Sequence, residues 1–351
     1  MPLAPGGPDA YAPASSNGDG ATMIRVNQCE NDKAAKGYYT QGDYYASDRQ
    51  ELPGIWGGKA AGMLGLAGRV TKRAFDRLCG NLHPFTGQKL TPRMRKDRTP
   101  GYDLNFHACK SVSILYGLTG NAEILAAFRG AVRQTMQAME AEMKTRVRRG
   151  GRYEDRKAGN MAWAEYVHLT SRPVRGVIDP HLHAHCFAFN CVFDKDEQRW
   201  KAGKFDAIKQ EAPRFEAMFH RLFGRRLAEL GIPIAWTGDR FEIAGIDRAT
   251  IETFSLRTAQ INQVAKKLGV TDPAAKDRLG AVTREYKQRD VTLPELRREW
   301  RARLTGAERI AFDQAVPHRL PELAAWEDDR RHFIRQRQRR AGVATEHGMG
   351  W

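Results

Sequence analysis

Apolar residues follow two different spacings along this chain, and these predict helices and strands in mixed order. Over residues 125–143 and within 205–230, apolar side chains recur every three or four positions, the spacing of a helix face that is buried. Asn121 is a favoured N-cap residue and 150–151 are glycines, so we expect the first helix to run between them. A shorter helix is expected over residues 110–118.

Strand patterns lie between these helices. The run GYDLNFH alternates, and this places Asp103, Asn105 and His107 on one face. Two further strand-like runs, residues 161–168 and 182–193, are joined by the turn-rich TSRPVRGVIDP. The order has no regular βαβα rhythm, which favours the α+β class, with a central antiparallel β-sheet and flanking helices.

Composition divides the chain into three parts. Residues 1–22 are almost all Pro, Gly, Ala, Ser and Asp, so we expect a disordered leader. The folded domain is expected over residues 23–305, with a helical and charged region at 247–305. A basic tail, residues 306–351, has no predicted role.

Charge favours a nucleic-acid partner. The chain carries 57 Lys and Arg against 41 Asp and Glu, a net charge of +16, and the alternative is a basic protein without a polyanionic partner. The five cysteines form no CxxC pair, which argues against a thiolate zinc site or a disulfide framework and fits a reducing cytosol. No run approaches the ~18 apolar residues of a membrane span, so we expect a cytoplasmic protein with no membrane insertion.

Histidines are concentrated in the stretch DPHLHAHCF, where His181, His183 and His185 alternate. In a strand, residues two apart share a face with Cα atoms roughly 6.5 to 7 Å apart, so two of these imidazoles can bind one metal ion. The outer two are about 13 Å apart, so a third ligand must come from elsewhere. His168, at the end of the neighbouring strand-like run, is the candidate. The alternative is a set of structural or solvated histidines.

Four blocks of sequence carry a family resemblance. In chain order they are YYTQGDYY, GYDLNFHACKSVS, VHLTSRP and DPHLHAHCFAFN. Together they resemble the MobF-type conjugative relaxases of the HUH endonuclease superfamily, and the similarity continues to about residue 305. The resemblance implies a metal-dependent enzyme that nicks one DNA strand at an origin of transfer by tyrosine transesterification. It would stay attached to the 5′ end as a phosphotyrosine and later rejoin the strand. Residues 247–305 would form a finger-like helical region that closes over DNA.

The resemblance also implies roles for individual residues. It assigns the metal ligands to His168, His183 and His185, the nucleophiles to Tyr38 and Tyr44, with Tyr39 and Tyr45 as alternatives, and the acidic partner to Asp103. Asp103 would accept the tyrosine proton or orient a histidine ligand. His181 stands where relatives commonly have glutamine, so we expect it near the metal but not bound to it. The expected ion is Mg²⁺ or Mn²⁺, with Zn²⁺ or Ni²⁺ as alternatives.

Basic residues near these blocks are expected to contact DNA phosphates. They are Arg93, Arg95 and Lys96 in one loop, Arg172 and Arg175 beside the histidine strand, and the basic residues of 144–157. The expected partners are origin-of-transfer DNA, as hairpin and single-stranded nick site, with accessory relaxosome proteins, a coupling protein and a type IV secretion system. Attached to DNA, the protein would be carried into the recipient cell. The chain shows no ATP-binding loop, so no helicase is expected in it.

Three alternatives stay open at this point. A rolling-circle replication initiator or a transposase of the same superfamily would use the same chemistry at another DNA site. A basic protein that binds single-stranded DNA without cleaving it would keep its histidines for structure. A small-molecule metalloenzyme with a histidine pair on a barrel strand is disfavoured by the charge and by the paired tyrosines.

Overall fold

The structure, a computed structural model, describes residues 24–29, 35–36, 52–92, 98–283, 285 and 291–315. The strands are β1 (Arg25–Gln28), β2 (Ile55–Gly57), β3 (Gly101–His107), β4 (Lys144–Arg149), β5 (Arg152–Lys157), β6 (Trp163–Thr170), β7 (Pro180–Phe189), β8 (Val192–Asp194), β9 (Arg199–Lys201), β10 (Gly203–Lys204), β11 (Ile234–Thr237) and β12 (Arg240–Ile243). The helices are α1 (Lys59–Met63), α2 (Lys72–Cys79), α3 (Lys110–Thr119), α4 (Ala122–Glu142), α5 (Asp206–Gln210), α6 (Ala212–Glu229), α7 (Arg248–Thr253), α8 (Leu256–Lys267), α9 (Pro273–Val282), α10 (Leu293–Ala302) and α11 (Gly306–Ala315).

A five-stranded sheet in the order β1-β3-β7-β6-β2 forms the centre, and every neighbouring pair in it is antiparallel. The α+β class with a central antiparallel sheet and flanking helices is therefore confirmed. The histidine strand β7 is the middle strand, and β3 and β6 lie on either side of it. A central strand has both backbone edges hydrogen-bonded, so its side chains are held at fixed positions on the sheet.

The two faces of the sheet are covered by different helices. On one face, Phe106 of β3 packs against Phe219 of α6, which also contacts Phe128 of α4. On the other face, Phe75 of α2 lies 5.3 Å from the Phe187 ring on β7. Because side chains alternate along a strand, this second face also carries His183 and His185. One end of that face is thus hydrophobic core, and the other end carries the histidines.

The sequence prediction of one helix between Asn121 and the glycines at 150–151 was wrong after Glu142. Helix α4 begins after the Asn121 cap, as expected, but it ends at Glu142, and β4 and β5 then form an antiparallel hairpin around 150–151. In β4, exposed arginines alternate with buried Thr145 and Val147, which is the period of a strand. The second long helix also differs, because it is interrupted at Glu211 between α5 and α6.

Residues in and beside α8 and α10 contact Ile178 and Asp179, the two residues that precede β7. Trp300 of α10 is fully buried and its Nε1 donates to the carbonyl of Ile178 at 2.8 Å. Asp179 accepts from Arg303 at 2.9 Å and from the backbone N–H of Leu256 at 2.9 Å. The segment is helical, as predicted, and a finger-like role for 247–305 stays a prediction. Among the described residues, none of the helices has the length and apolar character needed to cross a membrane.

Candidate metal centre

Three histidine side chains converge at one end of the sheet face that β6 and β7 share. His168 pairs with His183 across the two strands, and His185 follows two residues later. One ring nitrogen from each of the three lies within 4.8 Å of those of the other two. Because strand pairing brings His168 to His183, the cluster results from the antiparallel register. These residues can hold a divalent metal ion.

The hydrogen bonds of two of these histidines favour metal binding through Nε2. His183 Nδ1 lies 2.9 Å from the backbone carbonyl oxygen of His181, two residues earlier in β7. His185 Nδ1 lies 2.8 Å from Oδ2 of Asp103. Both acceptors are oxygens, so each Nδ1 carries the proton and each Nε2 carries the lone pair. A metal-binding histidine commonly donates its other ring N–H to a carboxylate or a carbonyl in this way.

Burial keeps His168 and His183 in the neutral form that a metal requires. Burial lowers the pKa of His168 well below its ordinary value, and the charges of His185, His183 and Arg172 lower it further. Burial also lowers the pKa of His183 to about 3, with the charge of His185 as the next cause. Imidazoles that are neutral at physiological pH bind metal ions without first losing a proton.

Asp103 lies on β3, two positions before Asn105 on the same face. Its carboxylate is buried, with 2% of the residue exposed. With its amide nitrogen directed towards Asp103, Asn105 donates to both carboxylate oxygens at 3.1 Å, and this nitrogen also lies 2.5 Å from Nδ1 of His185. The Asn105 side-chain oxygen accepts from Asn27 at 3.2 Å. Asp103 thus contacts both His185 and Asn105, and the two roles expected for its carboxylate stay predictions. A contact with a tyrosine nucleophile would involve residues outside those described.

Two residues near the centre were not singled out for a role by the sequence. His107 Nδ1 lies 3.0 Å from His181 Nε2, and the His107 ring stacks on His183 with centroids 5.5 Å apart. Lys110 donates to the carbonyl of Pro180 at 2.9 Å, and burial lowers the pKa of its ammonium to about 8. The shared face of β3 was the available signal for His107, whereas the Lys110 contact depends on how α3 packs. His181 thus lies beside the centre, as expected.

The remaining predicted site residues divide into two groups. Arg172 and Arg175 lie in the loop that joins β6 to β7, with Arg172 half-buried and Arg175 exposed at its tip. The others lie outside the described residues: Tyr38, Tyr39, Tyr44, Tyr45, Arg93, Arg95 and Lys96. Their roles stay predictions.

The comparison that decides the family is a match of residues 29–307 to the profile described as TrwC relaxase. The chain belongs to the TrwC relaxase family. Multifunctional conjugation protein TraI of Escherichia coli K12 is 31% identical over 314 residues, which cover 85% of this chain. The matched region is 17% of that relative's length, so this chain spans only a small part of TraI.

Solved structures of the same family share the fold. The conjugative relaxase TrwC in complex with oriT DNA, in a metal-free structure, is 30% identical, with a TM-score of 0.70 over 80% of this chain and 97% of the chain in that structure. A metal-bound TrwC complex with oriT DNA gives a TM-score of 0.71 with the same coverage and identity. The TrwC relaxase fold therefore covers 80% of this chain.

Proposed function

We propose that this chain nicks one strand of origin-of-transfer DNA and later rejoins it, through attack of a tyrosine hydroxyl on a backbone phosphate. The observation that carries the proposal is the cluster of His168, His183 and His185, with Asp103 bonded to one of its rings. Membership of the TrwC relaxase family supports it, as do TrwC structures described with oriT DNA and with metal. The TraI relative is described as a conjugation protein.

The three histidines would hold a divalent ion, with Mg²⁺ or Mn²⁺ as the proposed physiological choice. A bound ion would offset negative charge on the non-bridging oxygens of the scissile phosphate. Asp103 would fix the tautomer and orientation of His185, and Asn105 would hold Asp103 in place. Because Asp103 already accepts hydrogen bonds from both His185 and Asn105, we assign it to positioning and not to removal of the tyrosine proton.

The nucleophile is assigned to Tyr38 or Tyr44, with Tyr39 and Tyr45 as the alternatives. A phenol has a pKa of about 10, so it attacks only when its proton passes to water as the bond to phosphorus forms. The new bond joins the phenolic oxygen to phosphorus, the bond to the 3′ oxygen breaks, and that oxygen takes up a proton from water to leave as a 3′ hydroxyl. One phosphodiester replaces another, so attack by that hydroxyl can later rejoin the strand without ATP.

DNA would be held mainly by contacts to its phosphates. Arg172 and Arg175 lie at the end of the histidine strands, and the net charge of +16 favours binding to a polyanion. Arg93, Arg95 and Lys96 are proposed as further contacts. The remaining partners that we propose are accessory relaxosome proteins, a coupling protein and a type IV secretion system, with transfer of the DNA-bound protein into the recipient cell.

The test is a covalent adduct. The full chain is mixed with Mn²⁺ and a labelled single-stranded oligonucleotide that carries the cognate nick site, then denatured by heat. We expect a heat-stable labelled band, with the attacking tyrosine identified by mass spectrometry of the tryptic peptide. Tyr38→Phe should abolish or greatly reduce it, and Tyr116→Phe, in α3, is the matched control. Binding of the oligonucleotide without any adduct, with either Mg²⁺ or Mn²⁺, would leave only a DNA-binding protein.

A further inference from the structure

The loop between β6 and β7 ends in a tight turn whose two central residues both have left-handed backbones. Arg175 has φ +50° and Gly176 has φ +80°. Val174 and Val177 exchange two backbone hydrogen bonds of 2.9 and 3.0 Å around them. Positive φ at both central positions is the geometry of a type I′ turn, which normally takes asparagine and glycine. An arginine there costs on the order of 1 kcal/mol, so the backbone shape is imposed by the turn.

The backbone N–H groups of these two residues already bind an anion from the same chain. Arg175 N–H donates to Oε1 of Glu285 at 2.7 Å, and Gly176 N–H donates to Oε2 at 3.3 Å. Consecutive backbone N–H groups that point to one side of a turn form a concave anion-binding site, called a nest. Glu285 comes from 110 residues further along the chain, so the nest accepts an oxyanion that is not part of the turn.

The nest lies in the loop that links two of the proposed metal ligands. His168 is two residues before the end of β6, and His183 is three residues after the start of β7. An extended chain spans at most about 3.6 Å per residue, so Arg175 is within about 25 Å of His168. The exposed residue Arg175 and the half-buried residue Arg172 add positive charge to the same loop.

We propose that the Arg175–Gly176 nest is a binding site for a backbone phosphate of the DNA strand, and that Glu285 occupies it in the chain without DNA. A phosphodiester and a carboxylate both present two oxygens to paired N–H donors. DNA would therefore replace the Glu285 carboxylate, and Glu285 acts as an internal competitor. The proposal rests on the proposed function for its ligand, because it takes DNA as the source of the phosphate.

The first test measures DNA affinity for the full chain with EDTA present, so that no cleavage occurs. Glu285→Gln keeps the size of the side chain but removes the charge, and it should tighten binding of a single-stranded oligonucleotide roughly three- to tenfold, as expected when a competitor held by two hydrogen bonds is weakened. Glu252→Gln is the matched control, because Glu252 pairs with Arg248 on an exposed helix surface and its loss changes the net charge equally. Equal affinities for the two variants would overturn the proposal.

The second test observes the nest itself. In ¹⁵N-labelled protein, the amide signals of Arg175 and Gly176 should shift when the oligonucleotide is added. The signals should also shift with inorganic phosphate in Glu285→Gln at concentrations that leave the wild type unchanged. Arg175→Gly removes the guanidinium but keeps both N–H groups, so these shifts should persist in it and would separate the nest from the side-chain charge.

The outcomes separate this proposal from the proposed function. A wild-type chain that binds no oligonucleotide contradicts both. DNA binding with unmoved Arg175 and Gly176 amides contradicts the nest alone, as does a response to inorganic phosphate but not to DNA. A lower melting temperature for Glu285→Gln with unchanged DNA affinity would make the contact with Glu285 a purely structural one and would also overturn the proposal.

Discussion

His185 Nδ1 lies 2.8 Å from Oδ2 of Asp103, and the strands that carry them are direct neighbours in the central sheet. The pairing Asn105↔His185 fixes this relationship, because Asp103 and Asn105 lie on the same face of β3 as His185 does on β7. The carboxylate thus determines which nitrogen of His185 carries the proton. Sheet register, and not the local sequence around His185, provides this contact.

Replacing Asp103 with asparagine should weaken metal binding without removing a ligand. We expect Asp103→Asn to lower Mn²⁺ affinity about 10- to 100-fold, the usual effect of losing a partner of a metal-binding histidine. Isothermal titration with Mn²⁺ measures the change. Asp239→Asn is the control, since Asp239 pairs with Arg221 at an exposed position. An Asp103→Asn affinity equal to that of the control would show that the carboxylate does not act on the metal site.

The two neighbouring histidines of β7 should differ in their effect on metal binding. His183→Ala removes a proposed ligand, so its Mn²⁺ affinity should fall further than in Asp103→Asn. His181→Gln keeps the backbone carbonyl that accepts from His183 Nδ1, so the Mn²⁺ affinity of this variant should stay within about threefold of the wild type. That change is well below the loss of about 10- to 100-fold expected when a hydrogen-bond partner of a ligand is removed. The measurement is the same titration on each variant. A larger loss in His181→Gln than in His183→Ala would reverse the ligand assignment.

The sequence predicted the histidine cluster well because the cluster depends on the two-residue alternation of side chains along a strand. Alternation put His183 and His185 on one face, and the antiparallel hairpin with His168 needed only one correct pairing. The pair of His107 and His181 was not foreseen, because it depends on which strand lies on the far side of β7. The nest was also beyond the sequence, since an arginine gives no sign that its φ will be positive.

The β4–β5 hairpin shows how charge can conceal a strand. Residues 144–149 contain four basic side chains, and the sequence interpretation extended the preceding helix through them to the glycine pair. In the structure only Thr145 and Val147 are buried in this strand. Two buried side chains give only a weak strand-like alternation in the sequence. The helical spacing of apolar residues in α4 is a stronger pattern, so the helix prediction was extended into β4. Tertiary packing, which buries these two side chains, decided the outcome.

The ion pair between Arg303 and Asp179 should be worth far more than an exposed one. The two side chains are 18% and 2% exposed, and their charged atoms lie 2.9 Å apart. Removing Arg303 leaves the buried Asp179 carboxylate with the charge of Lys110 still acting on it, so Arg303→Ala should lower the free energy of unfolding by about 3 kcal/mol, the lower end of the range for a broken buried pair. Arg248→Ala, in an exposed pair with Glu252, should cost under about 1 kcal/mol. Urea denaturation measures the free energy of unfolding of both variants. Equal losses in Arg303→Ala and Arg248→Ala would show that the Arg303–Asp179 pair stabilises the fold no more than an exposed pair does.

His220 should make the fold less stable in acid. Burial lowers its pKa to about 4, with the charge of Arg240 as the next cause, and no hydrogen-bond partner for either ring nitrogen is found among the described residues. In the unfolded chain the histidine has its ordinary pKa of about 6.5, so the unfolded chain binds the proton first as the pH falls. Its contribution is therefore complete above about pH 6.5 and is lost as the pH falls towards 4, by up to about 1.4 kcal/mol per pH unit.

His220→Phe removes this titration and fills the same aromatic surroundings, which include Phe219 and Phe241. Its free energy of unfolding should decline less steeply than that of the wild type between pH 6.5 and 4.5. This holds even if the two proteins differ in free energy of unfolding at pH 8. Denaturant unfolding in EDTA across this range measures the two slopes. Parallel curves would show that His220 does not titrate on unfolding.

The β4–β5 hairpin should contribute to the salt dependence of DNA binding. Arg146 and Arg148 are exposed, and their guanidinium carbons lie 5.7 and 5.8 Å from the ring centre of Tyr153, which is 68% exposed. Each phosphate neutralised adds about 0.7 to the log-log salt slope for single-stranded DNA and about 0.9 for duplex. Arg146→Ala/Arg148→Ala should therefore reduce the slope by about 1.4 or 1.8, measured by fluorescence anisotropy from low to moderate KCl. Arg225→Ala/Arg248→Ala removes the same charge elsewhere on the surface. If both double variants change the salt slope equally, the hairpin arginines contribute only to the net charge of the protein and do not contact DNA phosphates.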